Sequence, residues 1–216
     1  MRVVEGRKLI DMDAAAFARL ADRYERVVVD LGTGDGLFAY RLAVQDPTTL
    51  YIGCDAVADN MVEVSQRSRR NPSRGGIDNL LLVVTSVEQP PDELRGTADM
   101  VYCVLPWGRL MAGLVTGDNE VLRGVRTYAK AGACVLVYLN VGVWDRDTPL
   151  HVQDLPAVTP QHVDEVLIPA YARTGIRLLG HRDAGPEEIG ELRSTWARRL
   201  THAGRGRFVR LEGIAC

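Results

Sequence analysis

Residues 27–36 read VVVDLGTGDG, a β-branched run that ends in Asp30 and passes straight into Gly32, Gly34 and Gly36. Three valines followed by an acid and alternating glycines describe a buried strand that turns sharply into a helix. Glycine lacks Cβ, so it takes up positive φ and lets a ligand lie against the backbone. A second strand-like run, LYIGC over 50–54, ends in Asp55, 25 positions after Asp30. Strand, glycine turn, helix, strand and acid form the first half of a nucleotide-binding α/β unit, with the second acid placed to accept hydrogen bonds from a ribose diol.

The glycine register discriminates between ligands. A pyrophosphate needs G-x-G-x-x-G and an open helix N-terminus. Here the spacing is Gly32, Gly34, Gly36, and Asp35 puts a negative charge where that phosphate would sit. The pattern favours S-adenosylmethionine over NAD. A glycine loop alone also occurs as a plain turn in unrelated parallel-sheet proteins; Asp30 before it and Asp55 after it give this one its meaning.

A chain of 216 residues suits a single domain, and 46% hydrophobic with 25% charged residues is ordinary for a globular protein. No apolar stretch reaches the ~20 residues a membrane span requires. The start, MRVVEGRKLIDMD, is charged throughout and lacks a signal-peptide core. The expectation is a cytoplasmic protein. Cys54, Cys103, Cys134 and Cys216 show no metal spacing and read as small, mostly buried residues in a reducing compartment. The four histidines are scattered, so no metal is expected. Two lysines against 24 arginines point to a GC-rich genome.

The net charge of −2 is unevenly spread. Residues 193–210 carry Arg193, Arg198, Arg199, Arg205, Arg207 and Arg210 with no acid. A second cluster holds Arg67, Arg69, Arg70 and Arg74. Local arginine patches on an acidic chain fit a polyanion docking on one face. The plainer alternative is solvated surface helices.

Along the chain, MRVVEGRKLI alternates apolar and polar residues around Glu5-Gly6, a short N-terminal hairpin within 1–12. Helices are expected over 13–26, 35–45, 57–70, 118–130, 159–175 and 186–193. Strands are expected over 79–86, 98–107, 133–141, 176–182 and 206–215. Strands alternating with helices imply a mostly parallel sheet covered on both faces. The order matches a class I S-adenosylmethionine-dependent methyltransferase, a Rossmann-like α/β fold, with an arginine-rich connection between the last two strands and an antiparallel edge there. The connections 142–158 and 184–205 are expected to face the substrate. Ligands bind at the carboxyl ends of such strands, which groups Asp30, Asp55, Glu88 and Leu105-Pro106-Trp107 around one crevice.

Trp107 follows Leu105-Pro106 at a strand end, where a target base would sit. An indole there is a stacking platform, and base–aromatic stacking contributes ~1–3 kcal/mol. The competing reading is a core tryptophan under the helix that follows. Trp196 lies inside the arginine-rich connection, a poor place for a core residue, and two tryptophans could clamp a flipped base. Trp144 has the weaker case and could simply close the edge of the site.

With VVVDLGTGDG, the Asp55 strand end, LPWGRL (105–110) and STWARRL (194–200) in view, the chain resembles the aminoglycoside-resistance family of 16S rRNA adenine-N1 methyltransferases, the kanamycin–apramycin type. The resemblance spans nearly the whole chain, and the LPWG and STWxRRL pair is far more specific than the glycine motif. It implies methylation of adenine 1408 in the decoding-centre helix, on the assembled 30S subunit. By this resemblance Trp107 and Trp196 would sandwich the adenine. Asp30, Gly32, Gly34, Asp55, Glu88 and Leu105 would hold the cosubstrate, with Thr195 supporting the site beside Trp196. Arg199, Arg205 and Arg207, with Arg67, Arg69, Arg70 and Arg74, would meet RNA phosphates. In this last patch arginine stands where the family favours lysine, and phosphate contacts need charge first.

Chemistry adds to the resemblance. Adenine N1 carries an in-plane lone pair that is unprotonated at neutral pH, so it can attack a sulfonium methyl without a general base. Alignment and desolvation would then carry the rate, and an indole face suits the cationic product. N6 chemistry would call for an Asp/Asn-Pro-Pro-aromatic segment, and Leu105-Pro106-Trp107 lacks its polar residue. Two other readings stay open on the residues alone: a small-molecule methyltransferase, with 142–158 as a lid, and a non-catalytic RNA-binding module. A monomer is the default, because one face must reach a ribosome.

Overall fold

A computed structural model describes residues 1–142, 155–192 and 207–216 of the chain. Among these residues nine strands form one sheet. In chain order they are β1 (Arg2–Glu5), β2 (Lys8–Asp11), β3 (Arg26–Leu31), β4 (Thr49–Asp55), β5 (Leu80–Val84), β6 (Ala98–Val104), β7 (Ala129–Asn140), β8 (Ile176–Ala184) and β9 (Phe208–Ala215). Their spatial order is β2-β1-β5-β4-β3-β6-β7-β9-β8. The five central strands, β5-β4-β3-β6-β7, are parallel. The N-terminal hairpin adds antiparallel to β5, and β9 runs antiparallel to both β7 and β8. The mostly parallel sheet with an antiparallel edge is borne out.

β3 and β4 are buried along almost their whole length, which is why they read as unbroken apolar runs. On one face pack α1 (Ala14–Ala21), α4 (Gly108–Thr116), α5 (Asn119–Tyr128) and α6 (160–173), joined in one core by Phe17, Leu114, Leu122 and Tyr171. On the other lie α2 (Leu37–Gln45), α3 (Val62–Ser68) and α7 (Pro186–Leu192), burying Phe38, Val64 and Ile189. Helix starts are capped by acids: Asp13 accepts from Ala16 N at 2.7 Å, and Asp118 accepts from Glu120 N and Val121 N.

Several boundaries differ from the sequence reading. The region 57–70 is a 3₁₀ turn, Ala58–Met61, followed by α3. Two helices occupy 108–128, where the reading gave bounds only to the second; Gly117, at φ 73°, separates them. The helix expected over 159–175 is α6, built of Pro160–His162, a π-helical turn Val163–Leu167 and Ile168–Arg173. Pro169 has no N–H to return to the preceding turn, and the wider turn takes up the break. β7 begins at Ala129, four residues earlier than expected, with Lys130 paired to Asp99 of β6.

The hairpin is tied down by one serine. Ser65 of α3 donates to Val4 O at 2.7 Å and accepts from Gly6 N at 2.8 Å. Among the described residues no helix is long and apolar enough to cross a membrane.

Candidate active site

β3 has β4 on one side and β6 on the other, so chain order reverses at its carboxyl end. Such a switch point opens a crevice. A cleft of about 740 Å³ lies there. Its walls come from the ends of four neighbouring strands: Thr85–Glu88 after β5, Asp55–Ala56 after β4, Asp30–Asp35 at the end of β3, and Leu105–Leu110 after β6.

The glycine loop is shaped by backbone bonds. Gly32 N and Thr33 N both donate to Cys54 O, and Gly36 N donates back to Thr33 O at 3.1 Å. Gly34 has φ 60° and open space where a Cβ would point, so the loop presents bare backbone to the cleft. Asp55 Oδ2 accepts from Gly34 N and its Oδ1 from Val57 N, each at 2.9 Å. The acid expected to meet a ribose therefore also fixes the loop; each oxygen keeps a second lone pair for a ligand. Asp35 Oδ1 accepts from Leu37 N at 3.0 Å, so a carboxylate of the chain itself occupies the start of α2. A phosphate is excluded there, as the sequence reading held.

Asp30 is 4% exposed, and among the described residues its Oδ1 has no hydrogen-bond partner; nor has the buried Thr33 Oγ1 beside it. Burial pushes the Asp30 carboxyl up to about 7. The Thr33 hydroxyl draws it partly back without closing a bond of ordinary geometry, and the charges of Asp55 and Asp35 raise it further. A buried acceptor without a donor is costly unless a ligand supplies one.

At the β6 end Leu105 has φ 49°, a left-handed conformation rare for leucine. Its N–H donates to Tyr138 O at 2.8 Å and its side chain is buried, so the turn is held from both sides. It swings Pro106 and Trp107 onto the cleft wall. Trp107, the residue before α4, is half-buried: it lines the cleft and also packs against the core.

Glu88 lies on the opposite wall, its Oε1 bonded to Arg109 Nε at 2.8 Å. In the sequence Arg109 is one residue of LPWGRL, with nothing there to mark its partner. Asp30, Asp35, Asp55 and Glu88 face the cleft, with Arg109 as the basic residue among its lining groups. Such a lining repels phosphates and suits a cation. Cys54 and Cys103 are buried thiols that burial holds well above their usual range, so neither is a nucleophile.

The other expected residues lie elsewhere. Arg67, Arg69, Arg70 and Arg74 sit on the end of α3 that leads away from the cleft and on the turn before β5, and none lines the cleft. Arg67 stacks over Tyr40 with 4.7 Å to the ring centroid, and Arg69 is bound to Glu5 of the hairpin at 2.6 Å; Arg70 and Arg74 are exposed. Arg207 is exposed just before β9. Trp144, Thr195, Trp196, Arg199 and Arg205 lie outside the described residues, as does most of the two connections expected to face the substrate.

The cleft has the features of an S-adenosylmethionine site: a bare glycine loop, a strand-end acid at ribose position, an unpartnered buried carboxylate and an acidic lining. On this fold they define a Rossmann-like class I methyltransferase. The family model of NpmA, 16S rRNA (adenine(1408)-N(1))-methyltransferase, matches residues 2–215, and the chain belongs to that family. A 16S rRNA (adenine(1408)-N(1))-methyltransferase of Streptoalloteichus tenebrarius is 37% identical over 96% of this chain and 95% of its own length. Among solved structures, a tryptophan-to-alanine mutant of the Catenulisporales acidiphilia enzyme of that name, with cosubstrate SAM, superposes with a TM-score of 0.94 at 35% identity, covering 100% of this chain and 96% of that one. The 16S rRNA methyltransferase KamB gives a TM-score of 0.91 at 35% identity, covering all of both chains.

Proposed function

We propose that this chain transfers a methyl group from S-adenosylmethionine to N1 of adenine 1408 of 16S rRNA in the 30S subunit, a modification that confers aminoglycoside resistance. One observation carries the reading beyond the family name: a single cleft joins an acidic cosubstrate floor to a tryptophan at the end of β6. When bound, S-adenosylmethionine supplies an electrophilic methyl on a sulfonium. Asp55 accepts from the ribose hydroxyls while holding Gly34. Asp30 and Thr33, which lack partners, receive the ammonium end of the amino-acid moiety. Gly34 leaves room for the ligand against the backbone, while the expected Gly32 instead makes room for Leu110.

Trp107 stacks on the target base from the cleft wall, with Trp196 as its partner and Thr195 beside it. No base is required for the displacement. Arg199, Arg205 and Arg207 meet phosphates around the flipped nucleotide. Arg70 and Arg74 reach a more distant stretch of the RNA, with Arg67 and Arg69 held in place by Tyr40 and Glu5. The enzyme works as a single domain and a monomer in the cytoplasm, where its ribosomal substrate is found. Among the described residues nothing favours the small-molecule reading or the non-catalytic one.

The decisive experiment is methyl transfer from labelled S-adenosylmethionine to purified 30S subunits, mapped by reverse transcription. N1 methylation blocks Watson–Crick pairing, so the expected result is a new stop beside adenine 1408. Transfer without that stop means another nucleotide or a non-pairing atom, and no transfer refutes the reading.

A further inference from the structure

The strand order across the cleft fixes which end of the cosubstrate lies where. Reading across the sheet, the walls are Glu88 after β5, Asp55 after β4, the Asp30 loop after β3 and Trp107 after β6. With the ribose at Asp55 and the amino-acid end at Asp30, the base is left for the β5 wall, where Val87 and Glu88 stand. An adenine offers an exocyclic amine, and Glu88 offers a carboxylate.

That carboxylate is held through one of its oxygens. Arg109, on the first turn of α4 at the β6 wall, reaches across and donates Nε to Glu88 Oε1 at 2.8 Å. Its Nη2 donates to Glu120 Oε2 at 2.6 Å, with Asp118 Oδ1 3.9 Å away. One guanidinium thus spans the two walls of the cleft and is itself anchored on the start of α5. Glu88 is 15% exposed, Arg109 60%. An ion pair this open adds little to stability; a planar fork holding one carboxylate oxygen does fix the direction of the other.

We infer that Arg109 is a positioning residue for recognition of the base: by holding Glu88 Oε1, it aims Oε2 at the exocyclic amine of adenine. This rests on the S-adenosylmethionine reading of the cleft. A site built to receive an amine rejects an analogue that lacks it.

The test is the ratio of two dissociation constants, for S-adenosylhomocysteine and for its deaminated form, S-inosylhomocysteine, in which a carbonyl oxygen replaces the amine. Calorimetry on the full-length enzyme is expected to show the adenosyl form preferred by about tenfold or more, the scale of a hydrogen bond to a charged group. Arg109→Gln reduces the preference to within about twofold, at a nearly unchanged melting temperature. Arg109→Lys, which restores the charge without the fork, recovers part of it. Glu120→Gln, which alters the outer anchor and touches no cleft wall, lowers the preference in the same direction. Should Arg109→Gln fail to fold, the lysine and Glu120 variants read the same ratio. A full preference in all three variants, or no preference in the wild type, overturns the inference. Failure of the wild type to bind S-adenosylhomocysteine at all would instead overturn the cosubstrate reading beneath it.

Discussion

Gly34 donates its backbone N–H to Asp55 Oδ2 at 2.9 Å, so the glycine loop after β3 and the end of β4 are one hydrogen-bonded unit. Asp55 Oδ1 fixes Val57 in the same way. Asp55→Ala removes both acceptors together with the group proposed to meet the ribose. The cost of unpaired partly buried amides is ~1–3 kcal/mol. S-adenosylmethionine affinity is expected to fall at least tenfold, with a lower melting temperature in the ligand-free protein. Asp55→Asn keeps one acceptor oxygen and falls between. Calorimetry paired with thermal denaturation separates the two effects, and an Asp55→Ala variant with wild-type affinity would remove Asp55 from the site.

Asp30 gives opposite pH trends to stability and binding. Its carboxyl stands at about 7 in the fold, above the ordinary 3.8, chiefly through burial. The folded state therefore holds this proton more tightly than the unfolded chain. Its contribution to ligand-free stability is full below about pH 4 and is lost as pH rises through about 7. A cationic ligand favours the carboxylate, so affinity should rise from pH 5.5 to 7.5 with release of a proton on binding. Asp30→Asn should flatten the stability trend and raise the melting temperature at pH 8 while weakening the cosubstrate. Calorimetry in buffers of different ionisation enthalpy counts the proton; none released sinks the assignment.

Leu105 should invert a familiar ranking. Glycine is normally about 0.5–1 kcal/mol worse than alanine within regular structure. At φ 49° alanine bears the left-handed penalty of roughly 1–2 kcal/mol and glycine does not. Both variants lose the buried leucine side chain, so both are destabilised. Leu105→Gly is expected to be the more stable of the two by about 1 kcal/mol in urea unfolding. The usual order, alanine above glycine, would mean that the turn relaxes when the side chain is removed.

How far this was legible in the sequence depends on whether a residue's role is local. Asp30, Gly34, Asp55 and Trp107 sit at strand ends, and the sheet brings strand ends together whatever the loops do. Period and strand order were enough to group them. Arg109 was present in a quoted motif, but its role comes from a bond to Glu88, 21 positions earlier, and no spacing rule marks such a pair. Leu105 carries no sign of positive φ, because nothing in a leucine asks for one. The arginine clusters carry no sign in the sequence of where they stand relative to the cleft. Arg67 to Arg74 and Arg207 look alike as charge, yet α3 carries the first group away from the cleft.

Arg207 stands at the junction of β7 and β9. Its carbonyl accepts from Val141 N at 2.7 Å and Gly142 N at 3.1 Å, so the end of β7 and the start of β9 are bonded together there. Both connections expected to face the substrate leave from that junction, while the Arg207 side chain is exposed. Arg207→Glu keeps these backbone bonds and reverses one charge. Stability and S-adenosylmethionine affinity should stay near wild type. Binding to 30S subunits should weaken at least tenfold at low salt, and the slope of log affinity against log salt should become shallower by about one phosphate contact or more. An unchanged slope would place this face away from the RNA. Trp107→Ala is the complementary variant: it should bind subunits and cosubstrate nearly as well but lose methyl transfer, because the stacking surface is gone and the docking charge is not.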